Sequence, residues 1–195
     1  KYSEAAGALK ELVDKTGIPI GETQAGKGSL PFDHPANLAS VGASGTLAAN
    51  ETAWEADVIL LLGTRLNDFI TSSKSQFQHP DVKFIHVNVN AMDSHKLSAL
   101  PLVGDAKVTL EMFIDGLEDF TLSGDYESSL KRLITAWNQE FERVTHLSED
   151  TKMQQPNMLR MVNEASGKNS TVVCAAGSLP GDLHKLWKTY ETDGY

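Results

Sequence analysis

Residues 57–63, DVILLLG, constrain the fold more than any other stretch of this chain. A half-exposed strand alternates apolar and polar residues. The unbroken run Val58–Leu62, closed by Gly63, instead predicts a strand buried on both faces of a parallel sheet. Parallel strands cannot be joined by tight hairpins; each needs a crossover, usually a helix.

The neighbouring sequence supplies such crossovers. The first seventeen residues predict a helix with Ser3 as N-cap, a stripe of Ala6, Leu9, Leu12 and Val13, and Gly17 as the stop. IPIG (18–21) reads as a short strand, 46–56 as a helix burying Leu47, Trp54 and its alanines, and 83–90 and 100–105 as strands. Residues 106–120 follow as an amphipathic helix with Val108, Met112 and Leu117 among its apolar positions. Alternating strands and helices predict an α/β fold: a Rossmann-like parallel sheet with helices on both faces. After Phe120 the rhythm changes. A long helix over 125–147 carries Leu130, Leu133, Ile134, Trp137 and Phe141, and another over 155–167 has Pro156 in its first turn. A strand over 171–175, a glycine turn and a further helix then open a partial second α/β unit. The expected organisation is a domain over 1–122, a helical linker over 123–152 and the start of a second domain over 153–195. Both ends read as cut.

Composition narrows the function. The net charge is −9, with no five-residue basic run, which argues against non-specific nucleic-acid binding, since that needs basic patches. No apolar stretch approaches the roughly 20 residues of a membrane-spanning helix. The single Cys174 rules out an internal disulfide and fits a reducing cytoplasm. The scattered histidines show no zinc spacing, so no metal ligand is assigned.

Between the regular elements lies GETQAGKGSLPFDHPANLASVGASGTLAAN (21–50), with five glycines and two prolines. Lys27, flanked by glycines, is a candidate for facing an anion, although Gly28 stands where a P-loop requires Ser or Thr. Ser44 in GASGT has the spacing of a nucleophile elbow, but NLASV before it does not read as a buried strand, so the match is rejected. Arg65 and Asp68, in GTRLND beyond the apolar strand, sit where open parallel sheets collect ligands; Arg65 can clamp a phosphate with Asp68 holding it, or the two can pair structurally. Gly177 and Ser178, at the turn before the last helix, offer amides to an anion, or make a plain tight turn.

Taken in order, these pieces resemble the thiamine-diphosphate-dependent enzymes of the acetohydroxyacid synthase type. GIPIGETQAGKGSLPFDHP resembles their central-domain crossover, ADVILLLGTRLNDFIT the strand with its G-x-R-[FL]-[DN]-D turn, and KFIHVNVNAMDSHK and LPLVGDAKVTLEMF the elements that follow. Residues 153–195 resemble the start of the diphosphate-binding domain. The resemblance implies a cytoplasmic homodimer or homotetramer using thiamine diphosphate and magnesium. GETQAGKGSLPFDHPANLASVGASGT and AAGSLPGDLHKLW are similar to a member that hydrolytically cleaves a C–C bond of a cyclic diketone in myo-inositol catabolism.

The resemblance brings the turn Gly177, Ser178 and Leu179 near the cofactor diphosphate, and runs the glycine-rich crossover toward an active-site region between subunits. It puts the catalytic glutamate in a pyrimidine domain and the magnesium motif beyond Tyr195, so no catalytic residue is assigned here and the 195-residue piece alone is expected to be inactive. It also puts the first central strand ahead of Lys1. Relatives that bind FAD carry acids where this chain has Asn88 and Asn90, so FAD is not expected. The alternatives are another enzyme of this type, or a non-catalytic nucleotide-binding or scaffolding domain; the latter lacks support from a G-x-G-x-x-G turn.

Overall fold

The computed structural model describes residues 1–148 and 152–195. The expected linker over 123–152 therefore includes 149–151, which lie outside the described residues. The chain forms α1 (Ala6–Thr16), β1 (Ile20–Glu22), β2 (Asn37–Ser40), α2 (Leu47–Glu55), β3 (Val58–Leu62), α3 (Asp68–Thr71), β4 (Lys83–Asn88), α4 (Ala91–Ser94), β5 (Leu100–Val103), α5 (Ala106–Gly116), α6 (Gly124–Thr145), α7 (Gln155–Ser166) and α8 (Ser178–Leu186). All strand pairs are parallel, in two sheets of order β1-β2 and β3-β4-β5. The fold is thus α/β, with parallel sheets flanked by helices.

Local chemistry sets several boundaries. Gly17 ends α1 at φ 73°, its N–H donating to Val13 O. Thr46, Asp105 and Ser123 cap α2, α5 and α6 by accepting first-turn amides on their side chains. Ser3 does not cap α1: Ala5 holds that position, without a side-chain bond.

Three expectations about packing change. The run Val58–Leu62 is not buried throughout, and among the described residues β3 pairs with β4 alone, as an edge strand of its sheet. Its other side, with β1 opposite, lines an apolar cleft of about 250 Å³, and Val58 is 50% exposed. In α2 the buried face is Ala48, Ala49 and Thr52, while Leu47 and Trp54 lie largely outside. In α5 the core takes Leu110 and Ile114 and leaves Val108 and Met112 exposed.

Two larger cores position the rest. Leu9, Leu12 and Val13 of α1 pack with Leu110 and Ile114 of α5 and with Leu30 from the crossover. A second core joins Leu38, Ala48 and Ala49 to Leu130, Trp137 and Phe141 of α6, Leu159 of α7, and Leu183 and Leu186 of α8. The late helices are thereby built onto β2 and α2.

Residues 171–175 do not form the expected strand. A strand requires a ladder partner, and among the described residues no strand lies beside this segment: Val172 N–H donates to Gly194 O at 3.1 Å, while Val172 and Cys174 pack against the second core. Val173 is 90% exposed.

Candidate functional site

The crossover from Gly21 to Gly45 is not a free loop. NLAS forms β2, a strand the sequence reading rejected, with Leu38, Ala39 and Ser40 buried against β1 and α2. The stated ground for dismissing Ser44 therefore fails. Ser44 nonetheless lies in the loop past β2, and its hydroxyl is engaged elsewhere.

That engagement is with α8. His184 Nε2 lies 3.0 Å from the main-chain oxygen of Glu22, which can only accept, so Nε2 carries the proton. Nδ1 is then an acceptor, and Ser44 Oγ donates to it at 2.9 Å. Burial, then the charge of Lys27, pushes the His184 pKa down to about 4, so the ring is neutral.

Lys27 is 1% exposed, and its Nζ donates to His184 O at 2.9 Å. That carbonyl belongs to the last turn of α8, where helix carbonyls lack intrahelical partners and a cation is favoured. Lys27 thus serves as a helix C-terminal cap and, among the described residues, is buried against α8 rather than open to solvent. Burial pushes its pKa down to about 8, partly offset by Glu22. Glu22, buried and pushed up, turns Oε1 to the amides of Gly28 and Leu30 at 3.0 and 3.3 Å. Gln24 reaches Pro180 O at 3.5 Å and bonds the Tyr195 hydroxyl.

Gly28 explains the glycine content here. At φ +85° a Cβ would stand 2.9 Å from Glu191 O and 2.9 Å from Thr189 Cγ2. Only glycine lets the crossover backbone lie this close to the chain end.

The turn Gly177–Ser178–Leu179 starts α8 and is open. Gly177 sits at φ 127°, and among the described residues no side chain caps the helix and nothing lies within 4 Å of a Cβ placed at Gly177. Gly177, Ser178 and Leu179 are exposed, and the Ser178 and Leu179 amides, in the first turn, have no intrahelical acceptor. Arg65 and Asp68 are exposed and, among the described residues, form no ion pair with each other. Their loop is fixed through its backbone: Thr64 O accepts from His86 Nε2 and Asn88 Nδ2, each at 2.9 Å, and Arg65 O accepts from Lys96. The structure thus gathers Lys27 onto the helix that begins at 177–179 and leaves Arg65 and Asp68 with the three-stranded sheet. Sequence reasoning missed Glu22, Gln24 and His184; the one local hint was His184 among the apolar Leu183, Leu186 and Trp187.

Asn88 and Asn90 are occupied structurally. Asn88 Oδ1 accepts from Asn90 N–H at 2.9 Å, and Asn90 Oδ1 accepts from Met92 N–H at 3.0 Å as the cap of α4.

Comparison with known proteins adds the whole-chain context. Residues 1–113 match the family described as thiamine pyrophosphate enzyme, central domain. Among similar proteins are 3D-(3,5/4)-trihydroxycyclohexane-1,2-dione hydrolases of Clostridium perfringens, 38% identical over 100% of this chain and 34% of the relative, and of Clostridium botulinum, 37% identical with the same coverage. The hydrolase of Halalkalibacterium halodurans is 38% identical over 96% of this chain and 33% of its own length. The chain spans about a third of the length of these relatives.

Proposed function

Because the chain belongs to the thiamine pyrophosphate enzymes, matched through their central domain, we propose that the natural-length protein carrying it is a thiamine-diphosphate-dependent trihydroxycyclohexane-1,2-dione hydrolase. The observation that carries this reading is the extent of the likeness. Relatives bearing that name match the entire chain, including the late helices that lie outside the 1–113 family match. In the proposed reaction, water adds across a ring C–C bond of the diketone; one carbonyl carbon becomes a carboxylic acid and the other an aldehyde. The enzyme would act in inositol catabolism, as a cytoplasmic homodimer or homotetramer.

Thiamine diphosphate, when bound, supplies a nucleophilic carbon for cleaving the bond beside a carbonyl. In this chain, Gly177, Ser178 and Leu179 would hold its diphosphate with the amides that open α8. For magnesium this chain offers no assigned ligand: among the described residues no three His, Cys, Asp or Glu side chains cluster. Its ligands, like the catalytic glutamate, would come from elsewhere in the full protein. Calorimetric titration of the natural-length protein with thiamine diphosphate, with and without magnesium, tests the reading. Saturable binding that needs the metal supports it, and no binding in either condition overturns it.

A further inference from the structure

We propose that Ser44, His184 and Lys27, with the Glu22 main chain, are positioning residues: they set the pose of α8 and so of the Gly177–Leu179 turn. The inference rests on the reading of that turn as the diphosphate site. One side of α8 is held by apolar burial, through Leu183 and Leu186. Burial of this kind is non-directional and leaves sliding and rotation of a nine-residue helix loosely specified. The other side is held by directed bonds from the crossover. Both nitrogens of His184 are used, by Ser44 at 2.9 Å and Glu22 O at 3.0 Å, and Lys27 holds the His184 carbonyl at 2.9 Å. Gln24 adds a contact to Pro180 O, in the first turn itself. Directed hydrogen bonds largely shielded from water narrow the helix to one arrangement in a way that apolar contact does not. A displacement of about 1 Å at a ligand-holding group is enough to be felt in function. The glycine-rich crossover, part of the central-domain match, is thus the element that aims a turn lying more than sixty residues beyond that match.

The test uses the natural-length protein and thiamine diphosphate at fixed magnesium. Ser44→Ala removes the donor to His184, and Ser44→Thr restores a hydroxyl. We expect Ser44→Ala to raise the dissociation constant about tenfold, Ser44→Thr to return most of it, and the cofactor-free melting temperature to change little. Gln24→Ala, at an exposed position, gives a second reading if Ser44→Ala does not fold, with a severalfold rise expected. Gly177→Ala separates the two claims. If it weakens cofactor binding while Ser44→Ala and Gln24→Ala do not, the positioning role is overturned and the site stands. If none of the three variants changes the dissociation constant, the site reading falls and the positioning role with it. A lower cofactor-free melting temperature with unchanged affinity in the Ser44 and Gln24 variants also overturns positioning.

Discussion

Ser44 and His184 stand 140 residues apart in sequence, yet the serine hydroxyl donates to the imidazole Nδ1 across 2.9 Å. The Glu22 carbonyl facing Nε2 sets the tautomer of this buried ring, and the serine bond ties the crossover to the last helix.

Stability should depend on pH through His184. Its folded pKa, pushed down to about 4, lies below the usual 6.5. Between those values the unfolded chain binds the proton and the folded chain does not. Stability therefore falls as pH drops through this window and levels off below it, by on the order of 3 kcal/mol in full. Glu22, pushed up by burial, works in the opposite direction. Comparison with His184→Gln isolates the histidine: denaturation midpoints of this chain from pH 7.5 to 4 should fall less steeply in the variant. Parallel curves would contradict the assignment.

Two glycines should respond differently to alanine. Gly28→Ala meets both a left-handed φ of +85° and backbone 2.9 Å away, so it is expected to lower stability by more than about 2 kcal/mol. Gly177→Ala meets open space and only the strain of φ +127°, a cost of about 1 kcal/mol or somewhat more. Thermal melts of the two variants check the order; an equal or reversed ranking would contradict the close approach of crossover and chain end.

Much of the fold is legible locally. The apolar run Val58–Leu62, the alternation of strands with helices and the stops at Gly17 and Gly63 are all short-range signals. β2 is not legible, because Asn37–Ser40 has a turn-like composition and becomes a strand by pairing with β1. Residues 171–175 show the converse: strand composition without a ladder partner forms no strand. Which helix face is buried depends on the neighbour. Small Ala48 and Ala49 face α6 in the shared core, and the larger Leu47 and Trp54 stay outside. At the site, glycines and Lys27 announce a close approach but not its partner, since the network closes over sequence separations of 140 to 162 residues.

Asn88 should not tolerate an acid. Asn88→Asp replaces the Nδ2 donor to Thr64 O with a carboxylate oxygen, setting two acceptors against each other in a largely buried site. A loss of about 1–3 kcal/mol in a denaturant titration is expected. FAD, titrated calorimetrically into the unmodified chain, should bind weakly or not at all. A sub-micromolar dissociation constant, more than about 8 kcal/mol of binding free energy, would contradict this.

The most direct measurement is the turnover of 3D-(3,5/4)-trihydroxycyclohexane-1,2-dione by the natural-length protein, assayed with magnesium before and after thiamine diphosphate is removed and restored. Ring opening that stops on depletion and returns on readdition is the expected result. Absence of ring opening in the reconstituted protein, or ring opening indifferent to thiamine diphosphate, would contradict the proposed function.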